Sequence, residues 1–103
     1  MKIELLYFDG CPSWESGLKN LQAALQEEGI TADVEMVKVE GDQDATRVKF
    51  LGSPHIRIDG MDLWHEEREM YSLSCRIYLT PEGIKGFPTV PMLREQLRKF
   101  QQV

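Results

Sequence analysis

The segment Leu5-Leu6-Tyr7-Phe8-Asp9-Gly10-Cys11-Pro12-Ser13-Trp14 does most to limit what this chain can become. The apolar run from Ile3 to Phe8 predicts a short buried strand, and Asp9-Gly10 a tight turn. Pro12 suits the first turn of a helix, where its missing N–H has no partner to lose. Trp14, Leu18, Leu21 and Leu25 then recur at helical spacing through Glu28, and Gly29 is a good left-handed stop. Cys11 therefore stands at the mouth of an amphipathic helix, where free N–H groups and the positive end of the dipole favour a thiolate over a thiol.

Ala32 to Glu40 is rich in valine and alternates with charge, apart from a parity break at Met36-Val37, which predicts a second strand carrying a bulge. Gly41-Asp42 opens a shorter helix, with Asp42 or Asp44 as cap and Ala45, Val48 and Leu51 facing inward. Gly52-Ser53-Pro54 leads into a third strand, His55-Ile56-Arg57-Ile58, which ends on the hairpin pair Asp59-Gly60. Met61 to Ser72 reads as a charged loop, densest at His65-Glu66-Glu67-Arg68-Glu69. Leu73 to Leu79 alternates as a fourth strand, with Leu73, Cys75, Ile77 and Leu79 on its inner face. A Gly/Pro-rich connection from Pro81 to Pro88 precedes a last helix, capped by Thr89 and striped by Val90, Leu93, Leu97 and Phe100. The order β-α-β-α-β-β-α makes residues 1–103 one α/β domain, a four-stranded mixed sheet flanked by helices with Ile3–Leu6 at its centre.

Several function classes drop out. A net charge of −5 argues against a general phosphate-backbone binder, so no nucleic-acid partner is expected. No apolar run approaches the roughly 20 residues needed to cross a bilayer, so no membrane partner is expected either. Met1-Lys2-Ile3-Glu4 lacks the pattern of a signal peptide, which makes the cytoplasm the expected compartment. His55 and His65 lie far apart with no zinc-ligand spacing, so no metal site is expected from them. Gly10, Gly17 and Gly29 do not form a dinucleotide fingerprint and no serine sits in a nucleophile elbow, so no cofactor is expected.

The phrases Tyr7-Phe8-Asp9-Gly10-Cys11-Pro12, Phe50-Leu51-Gly52-Ser53-Pro54, Arg57-Ile58-Asp59-Gly60 and Tyr71-Ser72-Leu73-Ser74-Cys75-Arg76-Ile77-Tyr78 together resemble the thioredoxin-like superfamily. Within it they are similar to a group of small bacterial proteins, some carrying an alkylmercury-lyase-like label. The resemblance covers nearly the whole chain. It implies a thioredoxin fold, with Cys11 in the position of the active cysteine and Pro54 as a cis-proline beside it. The chain departs from Cys-x-x-Cys in that Trp14 fills the resolving position, and from the monothiol pattern in that Ser13 comes one residue early. A disulfide cycle must therefore use Cys75 or a thiol from outside.

Each candidate carries a plain alternative. Cys11 is either a reactive thiol or a small apolar residue under a helix end. Cys75 is either a core side chain sharing parity with Leu73, Ile77 and Leu79, or a resolving thiol. Trp14 is the first core residue of its helix or a wall beside the cysteine. His55 is the start of an exposed strand or a base. Trp64 and Tyr71 line a cleft or anchor the charged loop. The leading expectation is a thiol–disulfide redox protein in which Cys11 attacks and Cys75 or an external thiol resolves, acting on a disulfide-bearing protein or a small thiol. Pro54 would shape a groove together with Pro12, Ser13, Trp14, Ser53 and His55. The alternatives are a soft-metal or organomercurial thiol site and a non-enzymatic scaffold that binds a partner. Carbon–mercury cleavage is not expected, because it needs a proton donor and Asp9, the nearest acid, is a weak one. Oligomeric state leaves no mark in the sequence.

Overall fold

β1 (Ile3–Tyr7) is apolar on both faces, with Ile3, Leu5 and Leu6 all buried, and it takes an inside position in the sheet. In the computed structural model, which describes residues 1–101, it pairs in parallel with β2 (Val34–Lys38) and antiparallel with β3 (His55–Ile58). β4 (Met61–Asp62) pairs with the far side of β3, giving a four-stranded mixed sheet in the order β2-β1-β3-β4. Asp59 and Gly60 both have positive φ, 52° and 81°, as a two-residue hairpin turn requires.

Because side chains alternate along a strand, the sheet has two apolar faces. On one, Ile3, Leu5, Ile56 and Ile58 meet Leu21, Ala24 and Leu25 of α1 (Trp14–Glu27) and Leu93 and Leu97 of α3 (Val90–Gln101). On the other, Leu6 and Val39 meet Ala45 of α2 (Asp42–Val48) and Phe50. Helices thus cover both faces. α1 ends on Gly29 at φ 68°, with the Ile30 N–H closing back on the Leu25 carbonyl at 2.9 Å. Thr89 receives the Met92 N–H at 3.3 Å and opens α3.

Four local expectations are corrected. α1 begins at Trp14, which leaves Pro12 in the preceding turn. β2 pairs residue for residue with β1 and has no bulge; its parity break arises because Val34 packs on one core and Val37 on the other. α2 has Gly41 as its N-cap with no side-chain cap; Asp44 instead receives the Glu40 N–H, and Asp42 receives the Leu73 N–H at 3.0 Å. The largest correction concerns Leu73 to Leu79, which does not join the main sheet.

The fourth strand is β4, immediately after the turn, because the Asp59-Gly60 hairpin leaves no room for a long excursion. Residues 73–77 run beside the loop before β3, and β5 (Tyr78–Thr80) pairs only with β6 (Gly83–Lys85). The parity is also opposite to that expected. Ile77 and Leu79 are 67% and 77% exposed, whereas Arg76 and Tyr78 are buried. Arg76 can be buried because its guanidinium donates to the Leu63 and Trp64 carbonyls, lies 3.7 Å from Glu66 and stands over the Tyr78 ring. Tyr78 in turn donates its hydroxyl to the Pro54 carbonyl. Satisfied polar anchors won over the apolar stripe.

Candidate functional site

The chain leaves β1 and turns at once, the Cys11 N–H returning to the Phe8 carbonyl at 3.1 Å. This sets Cys11 three residues ahead of α1, with its sulfur buried beneath the loop that enters β3. The Cys11 thiol donates to the Ser53 carbonyl at 3.5 Å. The same carbonyl accepts the Arg76 N–H at 3.0 Å, and the Ser53 N–H donates to the Ser74 carbonyl at 2.8 Å. These two backbone bonds form a short parallel bridge that lays Cys75 alongside Ser53. Two cysteines 64 positions apart in sequence are thereby both brought to Ser53, Cys11 by its thiol and Cys75 by its backbone.

Both cysteines are free thiols, Cys11 buried and Cys75 exposed. Partial loss of hydration pushes the Cys75 thiol above its ordinary value, and the neighbouring Cys11 sulfur adds to this electrostatically. Ser53 is itself wholly buried, and its hydroxyl has no partner among the described residues.

Glycines make the close approach possible. Gly52 sits at φ 109°, and a side chain there would come within 3.0 Å of the Arg76 nitrogen. Gly17 on α1 faces Pro54, where a Cβ would lie 2.7 Å from the ring. Pro54 is buried and follows a cis peptide bond, at the place the resemblance implied.

The remaining residues of the expected groove separate. Pro12 is exposed and Ser13 half-buried, the latter packed where Gly86 leaves space. Trp14 is half-buried and stacks on Tyr7 with ring centroids 4.6 Å apart, at the helix start and outside the main core. His55 is neither an exposed strand start nor part of a groove. It is fully buried, its Nδ1 accepts the Leu51 N–H at 3.1 Å, and its Nε2 donates to Asp62 at 2.7 Å. That pattern assigns the neutral tautomer with the proton on Nε2. Burial pushes its pKa down to about 4, against the opposing pull of Asp62.

Asp62 collects His55 and Arg57 on one oxygen and His65 on the other, at 2.7, 2.7 and 2.8 Å. Burial works to raise its pKa, but the hydrogen bonds from Arg57, His65 and His55 prevail and hold it at about 2. This cluster is a brace between β3 and β4. Sequence reasoning missed it, along with Tyr78 and the anchoring of Arg76. One signal was available: Arg57 and Asp62 flank the Asp59-Gly60 turn as opposite charges on paired strands. Trp64 anchors its loop against the main core and meets Tyr78 edge-on at 5.5 Å, and Tyr71 leans on the second core. Asp9 is held by Lys38 at 2.7 Å.

Among the described residues there is no group of three or more His, Cys, Asp or Glu side chains placed to hold a metal ion, and no helix is long and apolar enough to cross a membrane. Comparison of the chain with protein-family models, with curated proteins and with solved structures returned no match.

Proposed function

We propose that this chain is a thioredoxin-like protein that exchanges thiols for disulfides through Cys11 and Cys75. The observation that carries the proposal is the convergence on Ser53 of the Cys11 thiol, which donates to its carbonyl, and of Cys75, whose backbone is bridged to it. A thioredoxin-like arrangement is supported by the mixed sheet β2-β1-β3-β4, by helices on both faces, and by a cysteine between β1 and α1 facing the loop before β3. Trp14 occupies the usual resolving position, and Cys75, bridged to Ser53 from a distant loop, is proposed in its place.

The reaction is a two-electron exchange. Two thiols become one internal disulfide, and an external disulfide becomes two thiols, each taking up one of the protons released. The external partner is a disulfide-bearing protein or a small disulfide. An external thiol pair reverses the reaction and resets the protein. No cofactor enters.

Equilibration against graded mixtures of reduced and oxidised glutathione, followed by acid trapping and intact-mass measurement, tests the proposal. The expected result is a species lighter by two hydrogens that rises with oxidising strength along a two-electron curve. A chain that acquires only glutathione adducts, with no internal bridge, contradicts it.

The same two sulfurs favour a second reading, a two-coordinate site for a soft cation such as copper(I). One copper per chain in native mass spectrometry, lost on replacing either cysteine, is its signature.

A further inference from the structure

We propose that Cys75 makes first contact with the incoming disulfide and that Cys11 resolves, the reverse of the order that the position of Cys11 before α1 suggests. This rests on the dithiol reading above and assigns the two sulfurs their roles.

Access decides the order. Thiol–disulfide exchange needs the attacking sulfur to approach along the line of the sulfur–sulfur bond it breaks, so the first thiol must face solvent. Cys11 is only 4% exposed and its thiol is turned onto the Ser53 carbonyl, under a loop in which Leu51, Gly52, Ser53 and Pro54 are all buried. An external disulfide cannot reach it without displacing that loop. Cys75 is exposed, on an extended segment whose outward neighbours Leu73 and Ile77 are exposed as well. The thiol that neighbours Cys11 is that of Cys75, whose backbone is bridged to Ser53.

The chemistry closes in two steps. The Cys75 thiolate attacks one sulfur of the external disulfide, forming a mixed disulfide and releasing the first external thiol. The Cys11 thiolate then attacks the Cys75 sulfur, forming the internal bridge and releasing the second. The thiol protons of Cys75 and Cys11 pass to solvent, and each departing thiolate takes up one. Two electrons move from the cysteine pair to the external disulfide. In the resetting direction an external thiol attacks the exposed Cys75 sulfur, and Cys11 departs.

The experiment compares full-length Cys11→Ser and Cys75→Ser with the native chain in oxidised glutathione, reading adducts by intact mass over time. Cys11→Ser, which keeps Cys75, is expected to form a stable mixed disulfide at least about tenfold faster than Cys75→Ser. Peptide mapping of the native chain, quenched in acid at early times, is expected to find glutathione on the Cys75 peptide, which tests the order even where a variant fails to fold. Faster reaction of Cys75→Ser, or early adduct on the Cys11 peptide, overturns the order and leaves the dithiol proposal standing. A native chain that stops at a Cys75 adduct without closing a bridge overturns the dithiol proposal and with it the resolving role of Cys11.

Discussion

At the entrance to β3 one backbone carbonyl, that of Ser53, holds the Cys11 thiol and the Arg76 N–H beside a second thiol. At the hairpin beyond β3, Asp62 draws Arg57, His55 and His65 into a cluster of charged and polar side chains. Both junctions adjoin β3, but the first gathers residues distant in sequence, whereas the second joins neighbours across the β3–β4 hairpin. They differ in how completely their polar groups are satisfied. Asp62 has partners on both oxygens and His55 on both ring nitrogens, which is the condition for burying such groups at all. The dithiol junction is held mostly by main chain, and it keeps weak sulfur contacts and a buried hydroxyl without a partner among the described residues. A fully paired cluster resists change, whereas a loosely paired one leaves groups free to react. The first braces the fold and the second is where chemistry is expected.

The sharpest way to separate the two is Asp62→Ala. It leaves the buried His55 Nε2 without its acceptor and the Arg57 guanidinium with only the Val48 and Lys49 carbonyls, and a loss of about 3 kcal/mol in urea unfolding is expected. Bridge formation between Cys11 and Cys75 in the folded fraction should be unaffected. A parallel loss of bridging would mean the junctions are one unit.

The pH response of stability should report the same brace. His55 is held at about 4, below its ordinary 6.5, so its contribution is complete above about pH 6.5 and is lost as pH falls towards 4. Asp62, held at about 2 against 3.8, contributes fully above about pH 4 and loses its contribution as pH falls towards 2. The exposed His65 is shifted upward and acts with opposite sign, its contribution present in acid and lost as pH rises. Solvent screens that contribution, so the net expectation is falling stability below about pH 6.5, by an amount on the order of 3 kcal/mol for the buried histidine. Flat stability in denaturant between pH 7 and 4 would remove the brace from the account.

Gly52→Ala attacks the other junction. The residue is at φ 109°, and a Cβ would meet the Arg76 backbone at 3.0–3.1 Å, so about 2 kcal/mol of stability should go. Bridging should also slow, because the clash pushes the Cys75 segment away from Ser53. Unchanged bridging kinetics would show that the Ser53–Cys75 register is not what aligns the thiols.

Cys11→Ala removes the neighbour that helps to hold the Cys75 thiol up, while the desolvation remains. The alkylation profile of Cys75 should therefore move to lower pH; an unmoved profile would mean that the two sulfurs do not sense each other. The smallest effect is expected from Ser53→Ala. It deletes a buried hydroxyl that has no partner among the described residues, and thermal unfolding should change by no more than about 1 kcal/mol, in the stabilising direction.

The elements governed by local patterning were legible. β1, α1 with its Gly29 stop, the Asp59-Gly60 turn and α3 with its Thr89 cap all follow from periodicity and turn chemistry within a few residues. Residues 73–79 were not. Their alternation predicts an apolar inner face, yet the outward side carries Leu73, Cys75, Ile77 and Leu79 because Arg76 and Tyr78 find distant carbonyls to satisfy them. No window of sequence contains those carbonyls. Cys11 and Pro54 stood out through local context and resemblance. The approach of Cys75 depends on the Ser53–Ser74 and Ser53–Arg76 backbone bonds, which are tertiary in origin. His55 misled for the same reason, since Asp62 and the Leu51 N–H turn a histidine beside the site into part of the brace.

The most direct test is a disulfide map of the native chain. The reduced protein is oxidised mildly under native conditions, digested without reduction, and its peptides sequenced by tandem mass spectrometry. The account predicts a single intrachain bridge joining the Cys11 and Cys75 peptides, formed without loss of the folded circular dichroism spectrum. Mixed adducts or intermolecular Cys75–Cys75 bridges, with Cys11 still reduced and alkylated only after unfolding, would contradict it.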